Sequence, residues 1–192
     1  MTFDMTQDHA TSDTRLLVGL FPNGAVSTAI ELHRKQWWWP KGCHFPPLSR
    51  LHLTLGYLDE HEERCEERLL EALSQVRMKA FGLMLDQSGT WSNGVSVIQP
   101  APHGQLFELR ERIWSALQHA DLMDLANISG WKPHITIARA SERAACPAMS
   151  PIPWAVSEIR IVRSHFTTPF HHEHLASISA RHGLRRLSAS LH

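Results

Sequence analysis

The sequence predicts an α+β fold of two related lobes, each an antiparallel-rich sheet with helices on its outer face, arranged around a central cleft. Three observations lead there. His52-Leu53-Thr54-Leu55 and His134-Ile135-Thr136-Ile137 repeat one four-residue pattern 82 residues apart. On an extended strand successive side chains point to opposite faces, so each motif puts His and Thr on a polar face and two aliphatics on a buried one. Segments of strand and helix periodicity follow one another as β-α-β-α-β-β-α-β-β-β, and each motif strand closes a strand-helix-strand unit. Finally, 192 residues with 43% hydrophobic and 20% charged side chains suffice for one domain of two small lobes with a real core.

The elements can be justified in order. The first 14 residues are polar and acidic and are expected to be disordered. Residues 15–21 form an apolar opening strand, and Asn23 is placed to cap a helix reaching about Gln36, with Val26, Ile30 and His33 on one side. A Pro-rich loop from Pro40 to Pro47 delivers the chain into the first motif strand, about Arg50 to Leu58. From Asp59 to Met78 the pattern is helical, acidic in its first half, with Leu69, Leu70, Leu73 and Val76 near its end. Two short strands follow at about 80–86 and 94–99, with Ser88-Gly89 and Asn93-Gly94 as turn signals. Leu106, Leu109, Ile113, Trp114 and Leu117 then mark the core stripe of a helix over about 105–120. Trp131 to Ala140 is the second motif strand. The stretch Cys146 to Pro153 is too Pro-rich for a helix interior, strands at about 156–164 and 174–181 complete the set, and 184–192 reads as a tail.

The two motifs carry the chemistry. Imidazole is the side chain that titrates near neutral pH, so a pair facing each other can divide the work of acid and base. A histidine-rich chain, with 14 in all, could hold one such pattern by accident. Two copies with matching aliphatics are much harder to explain that way, and a sheet-edge capping role does not account for the repetition.

These residues resemble the two-histidine (2H) phosphoesterase superfamily, in particular its 2'-5' RNA ligase and RNA 2',3'-cyclic phosphodiesterase branch. The resemblance runs from about Arg15 to about Gly183, a single two-lobed domain over 15–183, and includes Leu51 to Leu58, Lys132 to Arg139 and the late strand ending Val162-Arg163-Ser164-His165. It departs at His171-His172-Glu173-His174, where a Tyr-Glu pair is common, at Gly94 to Ile98, which lacks an aromatic, and at Trp37-Trp38-Trp39 and Cys43-His44-Phe45. The resemblance implies a cleft with one motif strand from each lobe and metal-independent hydrolysis of RNA 2',3'-cyclic phosphate ends to 2'-phosphates. His52 and His134 would be the acid and base, though spacing does not say which is which. Thr54 and Thr136, two residues on along the same face, would donate to the non-bridging oxygens. Arg139 is a candidate for the phosphate, since guanidinium pairs with phosphate through two hydrogen bonds. Two alternatives remain: 2'-5' RNA ligation in the same site, or a non-catalytic module that binds RNA ends.

Other features point elsewhere less strongly. His165, His171, His172 and His174 suggest a metal site, but no Cys or carboxylate stands at a convincing zinc spacing, so no metal and no cofactor are expected. Trp37 to Trp39 fit packing between the first helix and the sheet better than base stacking. Phe21 and Trp91, near strand ends, are stacking candidates. No G-x-S-x-G or catalytic Cys context appears.

Composition narrows the partners. Basic and acidic residues balance at 19 each, unlike a protein that coats nucleic acid. From Arg139 onward, however, seven arginines face only Glu142, Glu158 and Glu173, which suits a small anionic end-group. RNA ends or small cyclic nucleotides are the expected partners, and the chain is expected to be a monomer. No run of about 20 apolar residues suggests a membrane span. The three cysteines, Cys43, Cys65 and Cys146, are scattered, and with no signal-peptide pattern the expected location is the cytoplasm.

Overall fold

The structure is a computed structural model and describes residues 13–59, 64–122, 130–181 and 183–187. Its strands are β1 Thr14–Leu20, β2 Leu53–Asp59, β3 Phe81–Thr90, β4 Ser96–Pro100, β5 Ile135–Ala138, β6 Ile152–Val156, β7 Glu158–His165, β8 His171–Ser179 and β9 Gly183–Arg186. Its helices are α1 Gly24–Arg34, α2 Cys65–Ser74 and α3 Gly104–His119. The strands hydrogen-bond in the order β6-β3-β4-β5-β2-β1-β7-β8-β9, antiparallel at each step. This is the α+β, antiparallel-rich architecture expected from sequence.

The two halves meet where β2 runs beside β5, and the registered pairing there is the single step Leu53 to Ile135. Among the described residues, four strands lie on one side of this narrow seam and five on the other. The helices are exchanged between halves. After β1, α1 crosses to pack on β6 in the other half, while α3, after β4, crosses back to pack on β2 and α2. Leu53, Leu55, Ile135 and Ile137 are all buried in the core, as alternation requires.

Local chemistry fixes the helices. Asn23 Oδ1 accepts from Val26 N at 3.0 Å, the expected N-cap, and α1 buries Val26, Ile30 and His33. Glu66 and Glu67 sit in the first turn of α2, where carboxylates suit the positive end of the helix dipole. The helix expected over Asp59 to Met78 is shorter: Asp59 ends β2, residues 60–63 lie outside the described residues, and α2 stops at Ser74. No helix among the described residues is long and apolar enough to cross a membrane.

Three expectations need correction. Ser88-Gly89 is not a turn but part of β3, which runs long because its first half pairs with β6 and its second with β4. The turn is Trp91 to Val95, closed by Trp91 N to Val95 O at 2.9 Å, with Gly94 at φ 74° supplying a left-handed conformation. Second, Ile152-Pro153-Trp154-Ala155-Val156 is a strand, β6, hidden by its proline. It lies at the edge of the sheet, where a missing N–H is tolerated, and Ile152, Trp154 and Val156 alternate inward. Third, the tail expected over 184–192 begins as a strand. Gly183 at φ 64° turns the chain so that β9 pairs with β8, while residues 188–192 lie outside the described residues.

Candidate active site

Each catalytic candidate stands just before a motif strand and is held in the same way. His52 Nδ1 lies 2.7 Å from the carbonyl of Arg50, and His134 Nδ1 lies 2.7 Å from the carbonyl of Lys132. A carbonyl only accepts, so Nδ1 carries the proton in both rings, and Nε2 is left for the cleft. In the first half the carbonyl belongs to a 3-10 turn, Leu48–Arg50; in the second it precedes Pro133. Continuing the antiparallel seam from the Leu53–Ile135 pair puts Thr136 opposite His52 and Thr54 opposite His134.

The repetition extends to a backbone irregularity. On β2, Gly56 pairs with Val18 and Thr54 with Gly19, so Leu55 is an extra residue. On β5, Ala138 pairs with Ser96 and Thr136 with Val97, so Ile137 is the extra residue at the matching motif position. A bulge of this kind breaks strict alternation. Unbroken alternation from His52 would bury Tyr57 and send Leu58 to the cleft; instead Leu58 is fully buried and Tyr57 lines the cleft. Likewise Ala138 is buried and Arg139 lines the cleft. Arg139 thus joins the site although it stands an odd number of residues after His134. Gly19 lies close under this bulge, where an added Cβ would come within 3.0 Å of the Leu53 carbonyl oxygen.

The cleft has a volume of about 790 Å³, and His52, Thr54, His134, Thr136 and Arg139 all line it, every site residue named from sequence. Its other cations are Arg15, Arg50 and Lys132, and among the described residues no carboxylate lines it. Burial is the main cause that lowers the pKa of His52; its carbonyl contact opposes this, and His134 and Arg139 add to it. Burial also lowers the pKa of His134, against the Lys132 carbonyl and helped by Arg139. Phe21 packs on the His52 ring at 5.5 Å and Trp91 on the His134 ring at 4.5 Å. These rings limit how the imidazoles can turn.

Sequence reasoning missed several lining residues. Tyr57 was open to discovery, since it stands five residues after His52 as Arg139 does after His134. His172 is a further cleft imidazole, besides His44: its ring lies 5.7 Å from that of His52, and its Nδ1 is 3.0 Å from Ser164 Oγ. Burial chiefly, then the charges of His52, Arg50 and His171, bring its pKa down to about 4. Trp131 donates from Nε1 to the Thr54 carbonyl at 3.0 Å, which ties the segment before β5 to the first motif strand.

The other sequence candidates lie apart. His165 stacks on His171 at 4.3 Å and reaches Glu173, whereas His174 contacts Ala176 O and Ser177 Oγ. These rings do not converge with His172, and no group of three or more His, Cys, Asp or Glu among the described residues is placed to hold a metal. Trp37 is buried and stacked on Trp39 at 4.7 Å, its Nε1 donating to His33 Nε2, so the pair packs behind α1 and not in the cleft.

Solved structures share this fold. No curated protein matches the sequence. The structure resembles Escherichia coli LigT complexed with 3'-AMP, at 22% identity and a TM-score of 0.73, over 88% of this chain and 98% of that one. It also resembles TT0787 of Thermus thermophilus, at 23% identity and a TM-score of 0.71, over 87% and 98%. A structure described as a phosphoesterase aligns at 22% identity and a TM-score of 0.74, over 86% and 98%. At such identities these likenesses establish the fold. The sequence profile of the 2'-5' RNA ligase superfamily matches residues 30–167, a span that takes in both histidine motifs. This chain belongs to the 2'-5' RNA ligase superfamily, a group of 2H phosphoesterases.

Proposed function

We propose that the protein opens RNA 2',3'-cyclic phosphates to 2'-phosphates, using His52 and His134 as the acid–base pair without a metal. One observation carries the reading: two imidazoles, each pinned through Nδ1 to a carbonyl two residues back, present Nε2 to a single cation-lined cleft. One imidazole takes a proton from water as its oxygen bonds to phosphorus. The P–O3' bond breaks, and the other imidazole, entering protonated, gives its proton to O3'. Thr54 and Thr136 hydroxyls and the Arg139 guanidinium stabilise charge on the non-bridging oxygens. Ligation of a 5'-hydroxyl to the same cyclic end breaks the same bond, and hydrolysis is favoured because water is abundant. The capture of 3'-AMP by LigT suits a ribonucleotide ligand here.

The test is incubation with 2',3'-cyclic AMP, and with a short RNA ending in a cyclic phosphate, in EDTA, followed by product identification. A 2'-phosphate product is expected. Loss of activity in chelator, restored by zinc or manganese, would overturn the metal-free mechanism, and binding without turnover would leave a binding module.

Two further outcomes follow from the geometry. Thr54→Ala and Thr136→Ala each lower turnover by about 10- to 100-fold, less than loss of a histidine, because each removes one hydrogen bond to the phosphate. Steady-state kinetics at saturating substrate measure this, and an unchanged kcat in both variants would remove the threonines from the mechanism.

The pH profile is expected to be bell-shaped, since one imidazole must be protonated while its partner is neutral. Both pKa values are lowered in the free protein. The kcat/KM optimum therefore falls on the acid side of the ordinary imidazole value of about 6.5. A bound phosphate anion favours imidazolium, so the kcat optimum lies at higher pH. Rate profiles over the range from acid to mildly alkaline check both limbs, and a flat profile with chemistry rate-limiting would mean the two rings do not trade protons.

A further inference from the structure

The turn between β7 and β8 carries two large apolar side chains that lie outside the buried core. Phe166 and Phe170 are 50% and 37% exposed, yet both line the cleft. Their rings lie 5.7 Å apart, and each is backed by an arginine from the same half of the sheet. The Arg50 guanidinium sits 4.6 Å from the centre of the Phe170 ring and donates from Nη1 to the Phe170 carbonyl at 3.3 Å. The Arg15 guanidinium lies between two rings, 4.5 Å from Tyr57 and 5.5 Å from Phe166.

These rings form a continuous series of contacts that begins at His52. From the His52 ring to His172 is 5.7 Å, from His172 to Phe170 is 5.2 Å, and from Phe170 to Phe166 is 5.7 Å. Phe166 thus stands three ring contacts from His52 in this series, with His172 and Phe170 between them. The charges agree: a cyclic phosphate carries one negative charge, whereas Arg50, Lys132 and Arg139 all line the cleft, with no carboxylate among the described residues that line it. Exposed aromatic faces alternating with arginines are what single-stranded nucleic acid requires, because bases stack on the rings and on guanidinium planes while phosphates meet the cations.

We propose that Phe166 and Phe170, backed by Arg15 and Arg50, form a platform for the nucleotide preceding the cyclic end, so that the enzyme selects the 3' end of a single-stranded RNA over a free cyclic mononucleotide. The inference rests on the proposed cyclic phosphodiesterase reading and adds to it the residues that set the preference for a chain end over a mononucleotide. It differs from the reacting centre in residues and in expected effect, since these side chains act on discrimination between substrates and not on proton transfer.

The experiment compares kcat/KM for 2',3'-cyclic AMP with that for an RNA pentamer ending in a cyclic phosphate, in the full chain and in Phe166→Ala/Phe170→Ala. A fluorescent RNA pentamer ending in a 3'-phosphate serves as a binding probe by anisotropy. The native protein is expected to favour the pentamer. The double variant is expected to lose about 5- to 150-fold of that preference and a similar factor in probe affinity. Phe170→Trp, which keeps a stacking face, is expected to retain both. Turnover of both substrates with an unchanged preference in the double variant would overturn the platform. Absence of turnover by the native protein, with probe binding that still depends on the two rings, would overturn the cyclic phosphodiesterase reading and leave the platform standing. Probe binding indifferent to the two rings would overturn the platform whether or not turnover is seen.

Discussion

His52→Ala and His134→Ala are each expected to lower turnover of a 2',3'-cyclic phosphate by at least about 100-fold while the circular dichroism spectrum stays native. The size follows from the proposed role: a positioned acid or base contributes about 10²- to 10⁴-fold. His172 lies against the His52 ring, but its pKa of about 4 leaves it neutral at neutral pH, and it packs on the edge of His52 instead of opposing it. The fold survives because both rings precede their strands and neither belongs to the buried core. Combining the two substitutions should cost much less than the product of the single losses, since the rings act as one unit. Near-native turnover in either single variant would reject the pairing.

Leu53→Ala is expected to destabilise the protein by about 2–5 kcal/mol, the range for a large-to-small change in a closed core. Leu53 is fully buried, pairs with Leu20 on β1, and makes the one registered step to Ile135 across the seam. Its removal opens a void where the halves join, and neither half can collapse to fill it without shifting a motif strand. For a chain of this length the midpoint should fall by about 4–20 °C, at about 2–4 °C per kcal/mol. Thermal and urea denaturation measure it, and a loss below about 1 kcal/mol would mean that the seam is held elsewhere.

The motif strands were legible in the sequence because a half-buried strand writes its two faces as alternation, and His-Leu-Thr-Leu and His-Ile-Thr-Ile do so plainly. α1 and α3 were legible through their apolar stripes, and α1 also through Asn23. The bulges were not, because Leu55 and Ile137 are apolar residues at positions where alternation already expects one. Their effect surfaces only three residues after each threonine, in Tyr57 and Arg139. β6 was masked by Pro153, whose compatibility with a strand depends on an edge position that only the sheet order reveals. His172 was hidden in the run His171-His172-Glu173-His174, where pairing of β8 with β7 decides which ring faces the cleft.

The exchange of α1 and α3 across the seam has a consequence for how the molecule comes apart. Either half, separated from the other, would hold its helix away from its own strands and leave them uncovered. Each half therefore depends on its neighbour for cover, and the cleft persists only while both are folded. A single cooperative transition on denaturation is the expected behaviour of such a chain.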